Sequence, residues 1–388
     1  MKTISCPGGQ RGAATTRFST MVSLSTTISR LSRMQPPGAR PSVPDRLHDL
    51  IGFAPDPGNL RARMYVPADL EPGAALVVAL HGCTQDAAVY DHGTGWSTLA
   101  DAQGFALLFP EQRRANNANM CFNWFEAADI ARIGGEAESI AAIIDAAVAA
   151  HGIDPARIFI TGLSAGGAMT AVMLATWPER FAAGAIIGGL PYGTAIGVRA
   201  ALERMRGQKA LDALPIAPAP AVPRVAIWHG TADPTVVIAN SDALVEQWCR
   251  VHALPPEPRQ GRSGANWSQS IWCDAQGHAL VEEWRVAGMG HGVPIDPASG
   301  IGHVGPFMLD VGLSSTLEIA RGWGLIDAVE RPAAAEPAAA PASRPAPRGA
   351  KLERLTPEPA ADDHAAAHSA GTVQATIEKA LRAAGLMR

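Results

Sequence analysis

Between residues 158 and 176 the chain passes from an unbroken apolar run, Ile158-Phe159-Ile160, through Gly162-Leu163-Ser164-Ala165-Gly166, into apolar residues at helical spacing. A continuous run of this kind fits a strand buried on both faces. Ala168, Val172 and Ala175, with Met169 and Met173 beside them, fit a helix packed against it. A serine between glycines at a strand-to-helix junction has the pattern of a nucleophile elbow: the turn is too tight for bulkier side chains, and its strain lifts the serine oxygen clear of the backbone. A Gly/Ser turn without chemistry satisfies the same five letters, so the remaining sequence has to decide between the two.

Strand and helix patterns alternate along the chain. Residues 1–45 read as a disordered leader, Ser/Thr/Arg-rich near its start, with Met21 as an alternative initiator. Arg61–Val66 reads as a first strand, Ala75–His81 as a buried one, and Phe105–Phe109 as a third, closed by Pro110. Ser97–Gln103 and Glu136–Ala150 carry helical stripes, and Ala183–Gly188 and Val225–His229 are further short apolar runs. Leu190–Pro223 interrupts the alternation with a helical piece and a Pro-rich stretch, an expected insertion over a cleft. Ser268–Cys273 and Leu280–Val286 add late strands, and Ser315–Trp323 a last helix. The expectation is an α/β domain over 46–330, with a mostly parallel central sheet and helices on both faces. Residues 331–371 have an Ala/Pro linker composition, and Val373, Ile377, Leu381 and Ala384 give 372–388 the stripe of a short amphipathic helix.

In an open α/β sheet, ligands sit at the carboxyl ends of the strands. Chemically able residues do follow strands here. Asp233 lies in His229-Gly230-Thr231-Ala232-Asp233-Pro234 after Val225–Trp228, and His291 in Gly288-Met289-Gly290-His291-Gly292 after Leu280–Val286. The order Ser164, Asp233, His291 is that of α/β-hydrolase triads. In such a triad His291 takes the serine proton and returns it to the leaving group, while Asp233 fixes the imidazole tautomer. Backbone N–H groups of Ala165 and Cys83 are the expected oxyanion donors. Asp242 and Asp296 rival Asp233, and His303 and His278 rival His291; the Gly-rich setting of His291 and the post-strand position of Asp233 favour the first choices. Cys83 has no basic partner beside it in sequence, which argues against a thiol nucleophile. His81, Asn123 and Trp124 are expected to border the substrate, His81 having the further readings of positioning the oxyanion loop or of a satisfied core histidine.

Composition narrows the partners. Net charge is −4 over 388 residues, which gives no electrostatic case for nucleic acid or an anionic membrane. No run approaches the roughly 18 apolar residues of a spanning helix. The leader has no apolar core of about 7–15 residues, as a secretory signal would. No CxxC or HExxH pair occurs, so no metal and no cofactor are expected. Of five cysteines, Cys83 and Cys121 fall in loops expected near Ser164, while Cys249 and Cys273 lie beside tryptophans. Two disulfides with one spare thiol, or only buried thiols, are both compatible with that spacing, and disulfides would imply an oxidising compartment.

The segments His81-Gly82-Cys83-Thr84-Gln85, Cys121-Phe122-Asn123-Trp124-Phe125, Gly162–Gly167, His229–Asp233 and Gly288–Gly292, with Gly305–Leu309 and Ser314-Ser315-Thr316 behind them, together resemble the polyhydroxybutyrate (PHB) depolymerase family of esterases. The resemblance spans roughly Leu60–Asp327. It implies an α/β-hydrolase fold and a metal-free serine esterase with Ser164, Asp233 and His291 as its triad. The implied substrates are poly- or oligo-3-hydroxyalkanoate esters, with feruloyl and acetylxylan esters of polysaccharides as the alternative and an inactive binding protein as the non-catalytic one. An extracellular location is likewise implied, with the cytoplasm as the alternative because no clear signal is recognised. The terminal amphipathic stripe would dock on a polyester granule, on a partner, or back on the catalytic domain.

Overall fold

The computed structural model describes residues 43–208, 212–216 and 222–326. Most of the expected leader, the linker and the stripe at 372–388 lie outside the described residues.

Ten strands form one sheet: β1 (His48–Asp49), β2 (Arg61–Tyr65), β3 (Leu76–Leu80), β4 (Ala106–Glu111), β5 (Ile158–Leu163), β6 (Ala183–Ile187), β7 (Arg224–Gly230), β8 (Gln260–Ser263), β9 (Trp267–Cys273) and β10 (Ala279–Val286), in the order β1-β2-β4-β3-β5-β6-β7-β10-β9-β8. Strands β4, β3, β5, β6, β7 and β10 are parallel, with antiparallel additions at both edges. The helices are α1 (Ala87–Thr94), α2 (Trp96–Gln103), α3 (Glu136–His151), α4 (Ala165–Thr176), α5 (Val198–Met205), α6 (Ala239–Val251) and α7 (Ser315–Gly322).

The apolar runs are unbroken because both faces of the sheet are covered. Successive side chains alternate sides: Leu76, Val78 and Leu80 of β3 join a core with Ile140, Ile143 and Ile144 of α3 and Met169 and Val172 of α4. Val77 and Ala79 point the other way, to Leu99 of α2, Ile319 of α7 and Trp323 beyond its end. Phe159 of β5 stacks on Trp323 at 5.0 Å between ring centroids, and Trp228 of β7 on its register partner Trp284 of β10 at 4.3 Å. Stacks of this kind contribute about 0.5–1.5 kcal/mol beyond burial.

One local expectation is corrected, and one helix was not anticipated. Pro110 does not close its strand: β4 continues to Glu111, with Pro110 paired to Ala62 of β2. Pairing of β4 with β3 ends at Leu108, so the missing proline N–H faces an edge that needs no ladder donor. Helix α1 has no clear stripe in sequence; it forms because Asp86 Oδ1 caps the Val89 N–H at 3.0 Å and Gly95, with φ 73°, closes the turn.

Candidate active site

Ser164 sits at the carboxyl end of β5, with φ 58° and ψ −117°, a backbone conformation that costs a non-glycine residue about 1–3 kcal/mol. The surroundings impose it. A Cβ on Gly166 would lie 2.3 Å from the Leu80 carbonyl oxygen, and one on Gly162 would lie 2.4 Å from that of Gly166. Only glycine lets the turn tuck between β3 and the start of α4. The Ser164 N–H is tied to the Ile187 carbonyl at 2.9 Å, which anchors the turn to β6 as well.

Loops after parallel strands bring the other two expected residues to the same end of the sheet. Asp233 follows β7 and His291 follows β10. His291 Nδ1 lies 2.6 Å from Asp233 Oδ2. The other carboxylate oxygen accepts the N–H groups of Thr235 at 2.8 Å and Val236 at 2.9 Å. Burial opposes the Asp233 charge, but the facing His291, His229 and backbone donors outweigh it and hold the carboxyl below its ordinary value. An ionised carboxylate only accepts, so the His291 proton resides on Nδ1 and its Nε2 lone pair is free. That Nε2 is buried and has no hydrogen-bond partner. It belongs to a narrow slot lined by Gly82, Cys83, Leu163, Ser164, His291 and Phe307. Strand β11 (Val293–Ile295), paired in parallel with β12 (Met308–Asp310), anchors the loop that carries His291.

The remaining expected residues divide. Ala165 opens α4, where a first-turn N–H has no intrahelical acceptor. Cys83 is disulfide-bonded to Cys121 across 38 residues, while Cys249 and Cys273 are buried free thiols. The bridge fastens the loop bearing the Cys83 amide to the Asn-rich loop, a fastening repeated by the Thr84 N–H bond to the Asn119 carbonyl at 2.6 Å. Trp124 lines an apolar cavity of about 210 Å³ opening on Ser164, together with Leu190, Val198, Leu202, Met205 and Val236. Helix α5, from the inserted segment, thus forms one wall of the cavity.

His81 and Asn123 do not border it. His81 is 1% exposed: its Nε2 accepts the Gln112 N–H at 3.1 Å and its Nδ1 donates to the Gly82 carbonyl at 2.8 Å. Burial lowers its pKa, and with both nitrogens occupied it serves as a neutral brace for the Gly82–Cys83 turn. The Asn123 side chain is spent on Asn117 and Asp129, and its N–H on Glu136 Oε2 at 2.8 Å. Burial and the neighbouring, half-buried Asp129 push the Glu136 carboxyl up to about 8; buried Glu136 underpins the Asn-rich loop through the Asn123 N–H and the Gln112 amide. The rivals lie elsewhere: Asp242 pairs with Arg285, Asp296 caps a short turn, His278 pairs with Asp274, and His303 stacks on His92 at 4.1 Å.

One supporting residue escaped the sequence reading. His229 Nε2 donates to the Val236 carbonyl at 2.7 Å and stands 3.6 Å from Asp233 Oδ2. Its burial lowers its pKa, so it flanks the carboxylate as a neutral group. The spacing from His229 at the end of β7 to Asp233 in the loop after it was its only signal. Among the described residues, no group of three or more His, Cys, Asp or Glu side chains could hold a metal ion, and no helix is long and apolar enough to cross a membrane.

Residues 61–265 match the profile of the esterase PHB depolymerase family. Over 294 residues the chain is 40% identical to poly(3-hydroxyalkanoate) depolymerase C of Paucimonas lemoignei, spanning 72% of this chain and 70% of that one. The chain belongs to the esterase PHB depolymerase family. Other relatives of this family member include feruloyl esterase B of Talaromyces stipitatus, 29% identical over 267 residues, 64% of this chain and 73% of that one. Among solved structures, an acetyl xylan esterase from Aspergillus awamori superposes with a TM-score of 0.60 at 24% identity, covering 72% of this chain and 99% of that one. The fold is that of an α/β-hydrolase, and the protein is a serine ester hydrolase.

Proposed function

We propose that Ser164, His291 and Asp233 form the catalytic triad and that the esters cleaved are those of 3-hydroxyalkanoates, as polymer or oligomers. The observation that carries the triad is the 2.6 Å contact from His291 Nδ1 to Asp233, which leaves Nε2 unpartnered in the slot shared with Ser164. In this reading Ser164 Oγ attacks the ester carbonyl while Nε2 accepts its proton. The tetrahedral oxyanion is received by the N–H groups of Ala165 and Cys83, each such donor being worth about 3–4 kcal/mol. Collapse expels the alcohol, which takes the proton from Nε2 and leaves an acyl-serine. Water, deprotonated by the same nitrogen, then releases the acid and restores the hydroxyl. Asp233 stays ionised throughout and stabilises the imidazolium.

The 40% identical relative named as a poly(3-hydroxyalkanoate) depolymerase supports the substrate, and the apolar cavity beside Ser164 suits short alkyl chains. The more distant feruloyl and acetylxylan esterase relatives favour polysaccharide esters as the second reading. The Cys83–Cys121 bridge supports folding in an oxidising compartment.

A panel of 3-hydroxybutyrate oligomers, feruloyl sugars and acetyl sugars, assayed beside Ser164→Ala, tests both parts. The hydroxybutyrate oligomers should give the highest kcat/KM, and the variant should lose at least about 10³-fold in kcat. Undiminished hydrolysis by Ser164→Ala overturns the triad, and a higher kcat/KM for a sugar ester overturns the substrate.

A further inference from the structure

Helix α3 begins with a side chain that it does not use for its own cap. Glu136 is 1% exposed, and a buried carboxyl is destabilising unless its oxygens find donors. A glutamate in the first turn of a helix ordinarily serves the free N–H groups there. At α3 that work falls to others: Asp129 Oδ1 accepts the Glu136 N–H at 3.2 Å, and Glu138 Oε2 accepts that of Gly134 at 2.7 Å. The Glu136 carboxyl is bound instead to the turn after β4 and to the Asn-rich loop. Its Oε2 accepts the Asn123 N–H at 2.8 Å, and its Oε1 accepts from Gln112 Nε2. Gln112, also 1% exposed, has every site of its amide occupied. Nε2 donates a second time, to the Cys121 carbonyl at 3.1 Å. Oε1 accepts the Arg113 N–H and Asn116 Nδ2, each at 2.8 Å.

Gln112 in turn holds the His81 ring, its backbone N–H donating to Nε2, and His81 Nδ1 donates to the Gly82 carbonyl. That carbonyl and the Cys83 N–H belong to one trans peptide unit, which is planar and stiff, so its C=O and N–H point in opposite directions. Gripping the carbonyl on one side therefore aims the N–H on the other. The Cys83 N–H has no acceptor among the described residues, and Gly82 and Cys83 line the slot that holds Ser164 and His291. We propose that Glu136 is a positioning residue for ester hydrolysis, which acts through Gln112 and His81 to aim the Cys83 N–H at the oxyanion. It touches neither the substrate nor the reacting atoms. Its second link, to the Asn123 N–H, steadies the adjoining Trp124 in the wall of the ester cavity. The proposal rests on the reading of Ser164 as nucleophile and of Cys83 as oxyanion donor.

The test uses the full chain and reads the oxyanion position directly. Phenylboronic acid forms a tetrahedral adduct on a catalytic serine, with an oxygen where the oxyanion of the transition state lies. Its inhibition constant is independent of any unfolded fraction in the sample. Glu136→Gln keeps the size of the side chain but sets an N–H against a donor, so one of the two links is lost. Gln112→Met keeps the length and the backbone N–H to His81 but removes the amide. In each variant, kcat on p-nitrophenyl butyrate should fall about tenfold, a part of the loss expected on deleting an oxyanion donor outright. KM should stay within about twofold, and the boronate inhibition constant should rise by about the factor that kcat falls. The double variant should lose no more than the worse single one, because both cut the same chain of contacts. The proposal is overturned if Glu136→Gln keeps the wild-type kcat, or if the two losses multiply in the double variant. It is equally overturned if kcat or Tm falls while the inhibition constant stays put, which marks Glu136 as a structural support alone. Failure of the Ser164 reading shows itself separately, as activity retained by Ser164→Ala or as a wild-type enzyme that the boronate does not inhibit, and the proposal falls with it.

Discussion

At Ser164 a backbone of φ 58° and ψ −117° is held by neighbours that leave no room for a Cβ at Gly162 or Gly166. The strain is therefore supported by β3, β6 and α4 rather than by the turn alone. Charge at the site is governed by Asp233, whose carboxyl lies below its ordinary range despite burial, through His291, His229 and two backbone donors. A folded-state pKa below the unfolded one means that the unfolded chain binds the proton first as pH falls. The stability contributed by Asp233 is thus fully present above the ordinary carboxyl pKa of about 4 and is lost as pH drops through the lower folded value. In thermal melts across that range, the Tm gap between the wild-type protein and Asp233→Asn should narrow as pH decreases. At neutral pH the same variant should lose about 10⁴-fold in kcat, because an amide on Nδ1 selects the wrong tautomer. The residue types Ser, Asp and His and their order were legible in the sequence. For His81 the sequence left bordering the substrate, positioning its loop and a satisfied core histidine all open; the part played by Asn123 was not legible, because burial and exhausted hydrogen bonds are properties of the packed state.

At the scale of elements, the proposed oxyanion loop depends on a partner far away in sequence. The Cys83 amide is positioned by the disulfide to Cys121, by His81 between Gly82 and Gln112, and by the Gln85 side chain on the Gly82 N–H at 2.9 Å. Closing a loop of 38 residues removes chain entropy from the unfolded state worth about 4 kcal/mol. The double variant Cys83→Ser, Cys121→Ser should accordingly show a lower urea midpoint, read by circular dichroism. Its kcat should fall more than its KM rises, since a loosened donor weakens the transition state more than the bound ester. Helix α1 and the passage of β4 through Pro110 belong to this scale too. The first rests on local signals other than an apolar stripe, a cap at Asp86 and a closing Gly95; the second rests on a sheet edge that ends at Leu108.

Across the molecule, two aliphatic and aromatic layers enclose the parallel sheet, and the two free thiols among the described residues report on their integrity. Cys249 lies in one of these layers, with burial pushing its thiol up to about 11, and Cys273 is also buried. An Ellman-type reagent added to the native protein should therefore leave both unmodified, and their labelling should follow global unfolding. Non-reducing mass mapping should find Cys83 joined to Cys121 and these two free. The order of strands and helices, the burial of the sheet on both faces and the post-strand placement of Ser164, Asp233 and His291 follow from the sequence itself, because apolar periodicity and glycine placement are local and survive in one dimension. The Cys83–Cys121 pairing was decided by the tertiary structure alone, and packing chose among the readings that the sequence left open for His81. Both depend on contacts between segments more than thirty residues apart, and such contacts leave no periodic trace in the chain.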